Sequence, residues 1–262
     1  MTDRMIARRD GVIGWMIFNN PERHNAMSVD MWAAVSEIIA GFEADPAIRV
    51  IVLAGAGEKA FVSGADISQF DQLRSNAEQA AQYDEIASRA NDALSAASKP
   101  TIAMIRGYCI GGGLGVALRC DLRIAAEGAQ FAIPAAKLGL GYGYPGIALL
   151  TGIVGPSVAK DIFFTARRLG AEEALRVGLI NHLVAPAELE QFTRRHAETI
   201  AANAPLTIRA AKMAIDLSAA GQPDARRLAA VDSAVSACFA SEDYKEGRRA
   251  FAEKRPPAFK GR

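Results

Sequence analysis

The sequence predicts an α/β core followed by a helical C-terminal appendix. Three short apolar runs, Val50–Ala54 (VIVLA), Thr101–Ile105 (TIAMI) and Leu122–Ala126 (LRIAA), have the length and character of buried parallel strands. Helix-patterned segments separate them, and such alternation implies right-handed crossovers onto one sheet. From about Pro156 onward the strand signal fades, apart from Leu179–Val184. Residues 157–165, 186–203, 206–219, 223–239 and 242–253 read as helices there. No internal repeat, low-complexity segment or linker interrupts the chain, so one domain with a helical appendix is expected.

The opening elements follow from local chemistry. Asp10-Gly11 is a hairpin turn signal before Val12–Phe18 (VIGWMIF), which predicts an antiparallel pair. After the Pro21 loop, Ser28 is placed to cap a helix whose Met31, Trp32, Val35, Ile38, Ile39 and Phe42 share one face. Met27 and Trp32 stand at the positions of a hydrophobic staple. The helical C-terminal third has no sheet of its own to pack on. It is expected to fold over its own core or over a neighbouring subunit.

Composition excludes several classes of function. Of 262 residues half are hydrophobic, and 30 basic against 29 acidic side chains leave a net charge of +1, so no global field recruits nucleic acid. The exception is local: Arg248–Arg262 holds six Lys/Arg and a single acid, Glu253, either a solvated tail or a site for a polyanion. Cys109, Cys120 and Cys238 are odd in number, lack metal spacing and sit in apolar surroundings, which suits buried free thiols in a reducing compartment. No apolar segment follows Met1 and no run reaches the roughly 18 apolar residues of a membrane span. The expectation is a cytoplasmic protein with no membrane and no nucleic-acid partner.

Two stretches bring bare backbone to a loop end. Ala60–Ile67 (AFVSGADI) follows the Val50–Ala54 strand, and the Gly111–Gly113 triplet in GYCIGGGLGVALRCD precedes a helix through Val116 and Ala117. Glycine lets a ligand approach the backbone without meeting a Cβ, and free amides at a helix N-terminus favour an oxyanion. Two such donors aimed at one oxygen form an oxyanion hole, worth about 3–4 kcal/mol per donor in acyl transfer. A glycine triplet alone is also a tight-packing device. Residues 141–146 (GYGYPG) match the dinucleotide pattern G-x-G-x-x-G, but no hydrophobic strand precedes them, and Asp161, 20 positions on, lies in a helical stretch. No G-x-S-x-G, Walker A or HExxH signature is present.

Taken in order, AFVSGADI, GYCIGGGLGVALRCDLRIA, AQFAIP with LGLG, ARRLGAEEALRVGLINHLV and EGRRAFAEKRPPAF resemble the enoyl-CoA hydratase/isomerase (crotonase) superfamily. The match runs in order from Asn19-Asn-Pro-Glu-Arg to Phe259. The resemblance implies a ββα-spiral core over residues 1–200 and a helical trimerisation region over 201–262, assembled as a homotrimer or dimer of trimers. It implies a coenzyme A thioester as substrate with no bound cofactor and no metal. Carried over by position, the oxyanion donors are the amides of Ala65 and Gly112. Ala65, Asp66, Ile67 and Ser68 would pass along the CoA adenine and pantetheine, with Arg23 and His24 on the other side. Lys254 matches a position that reaches the ribose 3′-phosphate, commonly across a subunit boundary.

The family's hydratases use two glutamates to position water and move its protons. At the matching positions this chain has Gly115 and Ala135, neither of which carries a proton. Tyr142 and Tyr144 are the nearest protic candidates, against the plainer reading of packed, hydrogen-bonded tyrosines. Asp84 and Glu85 are further candidates in a helix that the sequence does not place. Asp66 reads as a loop brace, Ser63 and Cys109 as structural, and His182 and His196 as ordinary strand-end and helix residues. Two functions follow from different classes: an enzyme that uses the oxyanion hole without a strong base, by decarboxylation or thioester hydrolysis, or a non-catalytic acyl-CoA binder.

Overall fold

Long strand, short strand and helix succeed one another through the core. The computed structural model describes residues 2–66, 77–219, 221 and 224–262. β1 (Met5–Asp10) and β2 (Ile13–Phe18) form the antiparallel pair, with Asp10 opposite Ile13, so Gly11 and Val12 make a two-residue turn. Gly11 takes φ of 60°, the conformation that such a turn requires. Then come β3 (Val50–Gly55), β4 (Ala60–Val62) and α2 (Ala77–Ser95); β5 (Thr101–Ile105), β6 (Tyr108–Ile110) and α3 (Gly112–Arg119); β7 (Leu122–Ala126), β8 (Gln130–Ala132) and α4 (Tyr144–Thr165). The long strands join a six-stranded sheet in the order β1-β2-β3-β5-β7-β10, where β10 is His182–Val184. The short ones join a second sheet, β4-β6-β8-β9, closed by the two-residue β9 (Leu169–Gly170), which the sequence patterning did not reveal.

The apolar runs are continuous because both faces of the large sheet are covered. Ile51 and Leu53 pack in the cluster that holds α1 (Val29–Ala44), whereas Val50 and Val52 pack with Leu189 and Ala197 of α6 (Leu189–Ala201). The anticipated face of α1 is buried: Met31, Trp32, Val35, Ile38, Ile39 and Phe42. Ser28 occupies the N-cap position, but its side chain makes no capping bond to the backbone and donates instead to the Asp30 carboxylate. Asp30 also accepts from Thr2, so the acid in the first turn draws the hydroxyl away.

Within the described residues α4 is the one helix with the length and apolar content of a membrane span. It is not continuous. Gly155 (φ 77°, ψ 164°) breaks it just before Pro156, and Leu150, Ala159 and Ile162 are buried against the core.

The C-terminal region follows α5 (Ala171–Arg176) and α6 and comprises α7 (Pro205–Ala219), α8 (Ala225–Ala240) and α9 (Glu242–Glu253). Lys212 of α7 donates to Asp121 Oδ2 at 2.8 Å, and the same carboxylate oxygen accepts from the Thr101 amide at 2.7 Å. Arg49 donates to the Phe259 carbonyl at 2.9 Å, and Asp243 accepts from the Lys260 and Gly261 amides, which folds the tail back over α9. By contrast α8 buries no residue, and Leu228, Val235 and Phe239 stand exposed on it.

Candidate active site

The two glycine-rich loops cross at the ends of β4 and β6. Gly64 (φ 112°) and Gly111 (φ 55°) both take left-handed backbone. A Cβ on Gly111 would stand 4.0 Å from Gly64 Cα, and one on Gly112 3.9 Å from the Ala65 nitrogen. Gly113 lets the helix begin this close: a Cβ there would lie 2.1 Å from the Val62 carbonyl oxygen, a distance no side chain tolerates. Met27 bridges Ala65 as a short parallel pair, donating to the Gly64 carbonyl at 2.8 Å and accepting from the Asp66 amide at 2.9 Å. That pattern turns the Ala65 amide away from Met27. Gly112 is the first residue of α3, so its amide is one of the N-terminal donors a helix cannot satisfy internally. The Ala65 amide nitrogen thus lies close to the first residue of α3, whose N-terminus favours an anion.

Beside Gly112 the structure brings together two aromatics that the sequence did not announce as neighbours. Trp32 of α1 lies beside Gly112, where a Cβ would meet its Cζ2 at 3.6 Å, and its indole N–H donates to Tyr83 Oη of α2 at 3.0 Å. Both aromatics are buried. They were legible in sequence only as helix-face residues, because their link spans 51 positions.

At the two positions without glutamates the surroundings differ. Ala135 is buried in the 3-10 turn Pro134–Leu138, and Pro134 adjoins Gly111. At Gly115 a Cβ would meet Tyr142 Oη at 3.5 Å and Arg119 Nη1 at 3.6 Å. Arg119 lies one turn further along α3 and donates to the Gly115 carbonyl at 2.7 Å. The ring of Tyr142 packs edge-on against Phe163 at 5.2 Å. Burial pushes the Tyr142 phenol above its ordinary pKa, with the Arg119 charge pulling the other way. Burial likewise lowers Arg119, opposed by Tyr142 and Asp92. Near neutral pH the pair is therefore a neutral phenol beside a cation. Tyr144, by contrast, is 82 % exposed and is not drawn in.

Other candidates fall into place around the loops. Arg23 Nη1 lies 4.0 Å from Asp66 Oδ1, and the Ser63 amide donates to the His24 carbonyl at 3.2 Å, so Arg23, His24, Ser63 and Asp66 form one cluster beside Ala65. His24 meets Tyr108 edge-on at 5.9 Å, and the Arg168 guanidinium lies 5.3 Å from the centre of the same ring. Asp84 and Glu85 are on the exposed side of α2, where Glu85 lies 3.9 Å from Arg89. Lys254 is exposed at the left-handed C-cap of α9. Cys109 and Cys120 are buried free thiols, their ionisation suppressed by burial, whereas Cys238 is half-buried. His182 and His196 lie against each other at 5.0 Å. Ile67 and Ser68 lie outside the described residues.

The enoyl-CoA hydratase/isomerase family model matches residues 8–262. The chain is 35 % identical over 253 residues to a short-chain-enoyl-CoA hydratase of Clostridium acetobutylicum, covering 97 % of this chain and 96 % of that protein. It is also 35 % identical over 269 residues to a carnitinyl-CoA dehydratase of Escherichia coli, covering all of both chains. A crystal structure of an enoyl-CoA hydratase/carnithine racemase from Magnetospirillum magneticum superposes with a TM-score of 0.93 at 36 % identity, over 100 % of this chain and 97 % of that one. The spiral order of strands and helices, the crossed glycine loops and this full-length similarity agree: the chain belongs to the enoyl-CoA hydratase/isomerase (crotonase) family and is an enzyme of its acyl-CoA-processing kind.

Proposed function

We propose that the chain binds an acyl-CoA thioester with its carbonyl oxygen between the amides of Ala65 and Gly112, stabilises the enolate there, and protonates it from Tyr142. The observation that carries this reading is the Gly115 corner, where a phenol and a guanidinium stand in place of a carboxyl group. Ala135 supplies no second acid. A neutral phenol donates a proton readily but is a poor base, so the chemistry that fits is one that makes an enolate without abstracting a proton. Decarboxylation of a malonyl-type thioester does so. The bond from Cα to the carboxylate breaks, its electron pair moves onto the thioester oxygen, CO2 departs, and Cα takes the Tyr142 proton, which water then replaces.

Arg23, His24, Asp66, Ile67 and Ser68 line the CoA moiety in this reading, and Lys254 of a neighbouring subunit meets its 3′-phosphate. The exposed apolar residues of α8 support self-association as a trimer or a dimer of trimers through residues 201–262. The enzyme works in the cytoplasm.

A panel of acyl-CoAs followed by free-CoA release, CO2 release and loss of enoyl absorbance tests this. Release of CO2 from a malonyl-type thioester, with crotonyl-CoA hydrated slowly, is the expected result. Efficient hydration alone would overturn it, and tight binding without turnover of any member would leave a non-catalytic binder.

A further inference from the structure

Arg119 stands in the Gly115 corner with most of its hydrogen-bonding capacity unspent. Side chains on an α-helix lean toward its N-terminus, so Arg119 reaches back over residue 115, one turn nearer the oxyanion donors. Its Nη1 comes to lie in van der Waals contact, 3.6 Å, with the place a Cβ on residue 115 would take. Of the five N–H donors of a guanidinium, one goes to the Gly115 carbonyl. Within the described residues no carboxylate forms an ion pair with it. The acid that acts on it electrostatically, Asp92, is exposed on α2 and accepts from Ser88 Oγ at 3.4 Å. A half-buried cation without a carboxylate partner bears a desolvation cost that a bound anion offsets. The planar fork favours a carboxylate over other anions of that size.

We propose that Arg119, backed by the Tyr142 hydroxyl, is a specificity-determining residue that recognises a carboxylate on the acyl group, so that the preferred substrates are acyl-CoAs with a carboxylated acyl chain. This rests on the acyl-CoA reading above and narrows it to a substrate class. It makes no claim about which bond reacts.

Calorimetric titration of the full-length protein with thioester pairs of similar shape tests it. Succinyl-CoA is compared with 4-methylpentanoyl-CoA, malonyl-CoA with isovaleryl-CoA, and free CoA serves as the common reference. The wild type is expected to bind the carboxylated member of at least one pair tenfold or more tighter than its neutral partner. Arg119→Gln, which keeps a donor for the Gly115 carbonyl, should erase that preference while leaving affinity for free CoA unchanged; Arg119→Lys should keep part of it. Equal binding of charged and neutral members by the wild type, or a preference that survives in Arg119→Gln, overturns the inference and leaves the acyl-CoA reading intact. If neither the thioesters nor CoA binds to the wild type, the acyl-CoA reading itself fails. An Arg119→Gln protein that loses free-CoA affinity as well would show that Arg119 supports the fold, and Arg119→Lys then decides: full retention of CoA binding with a reduced carboxylate preference sustains the inference, and an unchanged preference ends it.

Discussion

Gly115 and Tyr142 meet in this structure at van der Waals distance: a Cβ on residue 115 would stand 3.5 Å from Tyr142 Oη. Hydration should therefore be slow, with crotonyl-CoA turned over well below the ~10 s⁻¹ of an ordinary enzyme. The contact also sets what restoration takes. Gly115→Glu with Ala135→Glu should raise the rate, and more so with Tyr142→Ala, since extra side-chain atoms in a packed site cost ~1–3 kcal/mol, while either glutamate alone should do little because the two act as a unit. Loss of enoyl absorbance measures all of these, and a wild-type rate at or above ~10 s⁻¹ would show another proton carrier at work.

The Ala65 amide is the donor most easily removed. Ala65→Pro deletes its N–H, and turnover of any substrate found should fall by ~10²-fold or more. Circular dichroism establishes that the fold survives. A liganded structure with the thioester oxygen directed elsewhere would falsify the assignment.

Tyr142 should act in its neutral form. Because burial raises its pKa, the proton it donates is present through neutral pH and is lost only above the ordinary phenol range of about 10. The turnover profile should stay flat from neutral to mildly alkaline pH as far as this group is concerned. Tyr142→Phe should lower kcat by ~10²–10⁴-fold. A variant as active as wild type removes Tyr142 from the chemistry.

The tail that carries Lys254 should loosen in acid. Glu246 accepts from Arg255 at 2.6 Å, from the Ala258 amide at 3.0 Å and from Arg249 at 2.6 Å. These bonds, Arg255 first, hold its carboxyl well below the ordinary range. A folded-state pKa depressed in this way contributes stability that is present above the unfolded value of about 4.3 and fades as pH falls toward the folded one. Hydrogen exchange over residues 246–259 should accelerate below about pH 4.3 in the wild type, and Glu246→Gln should show the faster exchange already at pH 7. Identical exchange in both proteins at pH 7 would count against the network.

Self-association should depend on the exposed apolar side chains of the C-terminal helices. Phe251 is 88 % exposed, and Phe239, Val235 and Leu228 are exposed with it. Phe251→Asp combined with Phe239→Asp should shift sedimentation from trimer or hexamer toward monomer, and a wild type already monomeric at micromolar concentration would sink the assembly. If Lys254 meets the 3′-phosphate, Lys254→Ala should weaken CoA binding more than dephospho-CoA binding; equal losses remove it from that role.

The sequence by itself determined the strands of the large sheet, the buried face of α1 and the two glycine loops, because each is written in local periodicity or in residues with special backbone freedom. The opening hairpin was legible in Asp10-Gly11 for the same reason. It also showed that Gly115 and Ala135 carry no protons, a fact of side-chain chemistry that needs no coordinates. Tertiary structure alone decided what stands in their place. Tyr142 and Tyr144 are two residues apart and equivalent as sequence, yet one is carried to Gly115 and packed on Phe163 while the other faces solvent. Arg119 read as an ordinary helix residue, and only the structure shows its guanidinium folded back onto the Gly115 carbonyl. The Trp32–Tyr83 bond joins residues on two helices, and the Ser28 cap gave way to Asp30. Such contacts depend on how separate elements approach in space. Local periodicity carries no information about that approach.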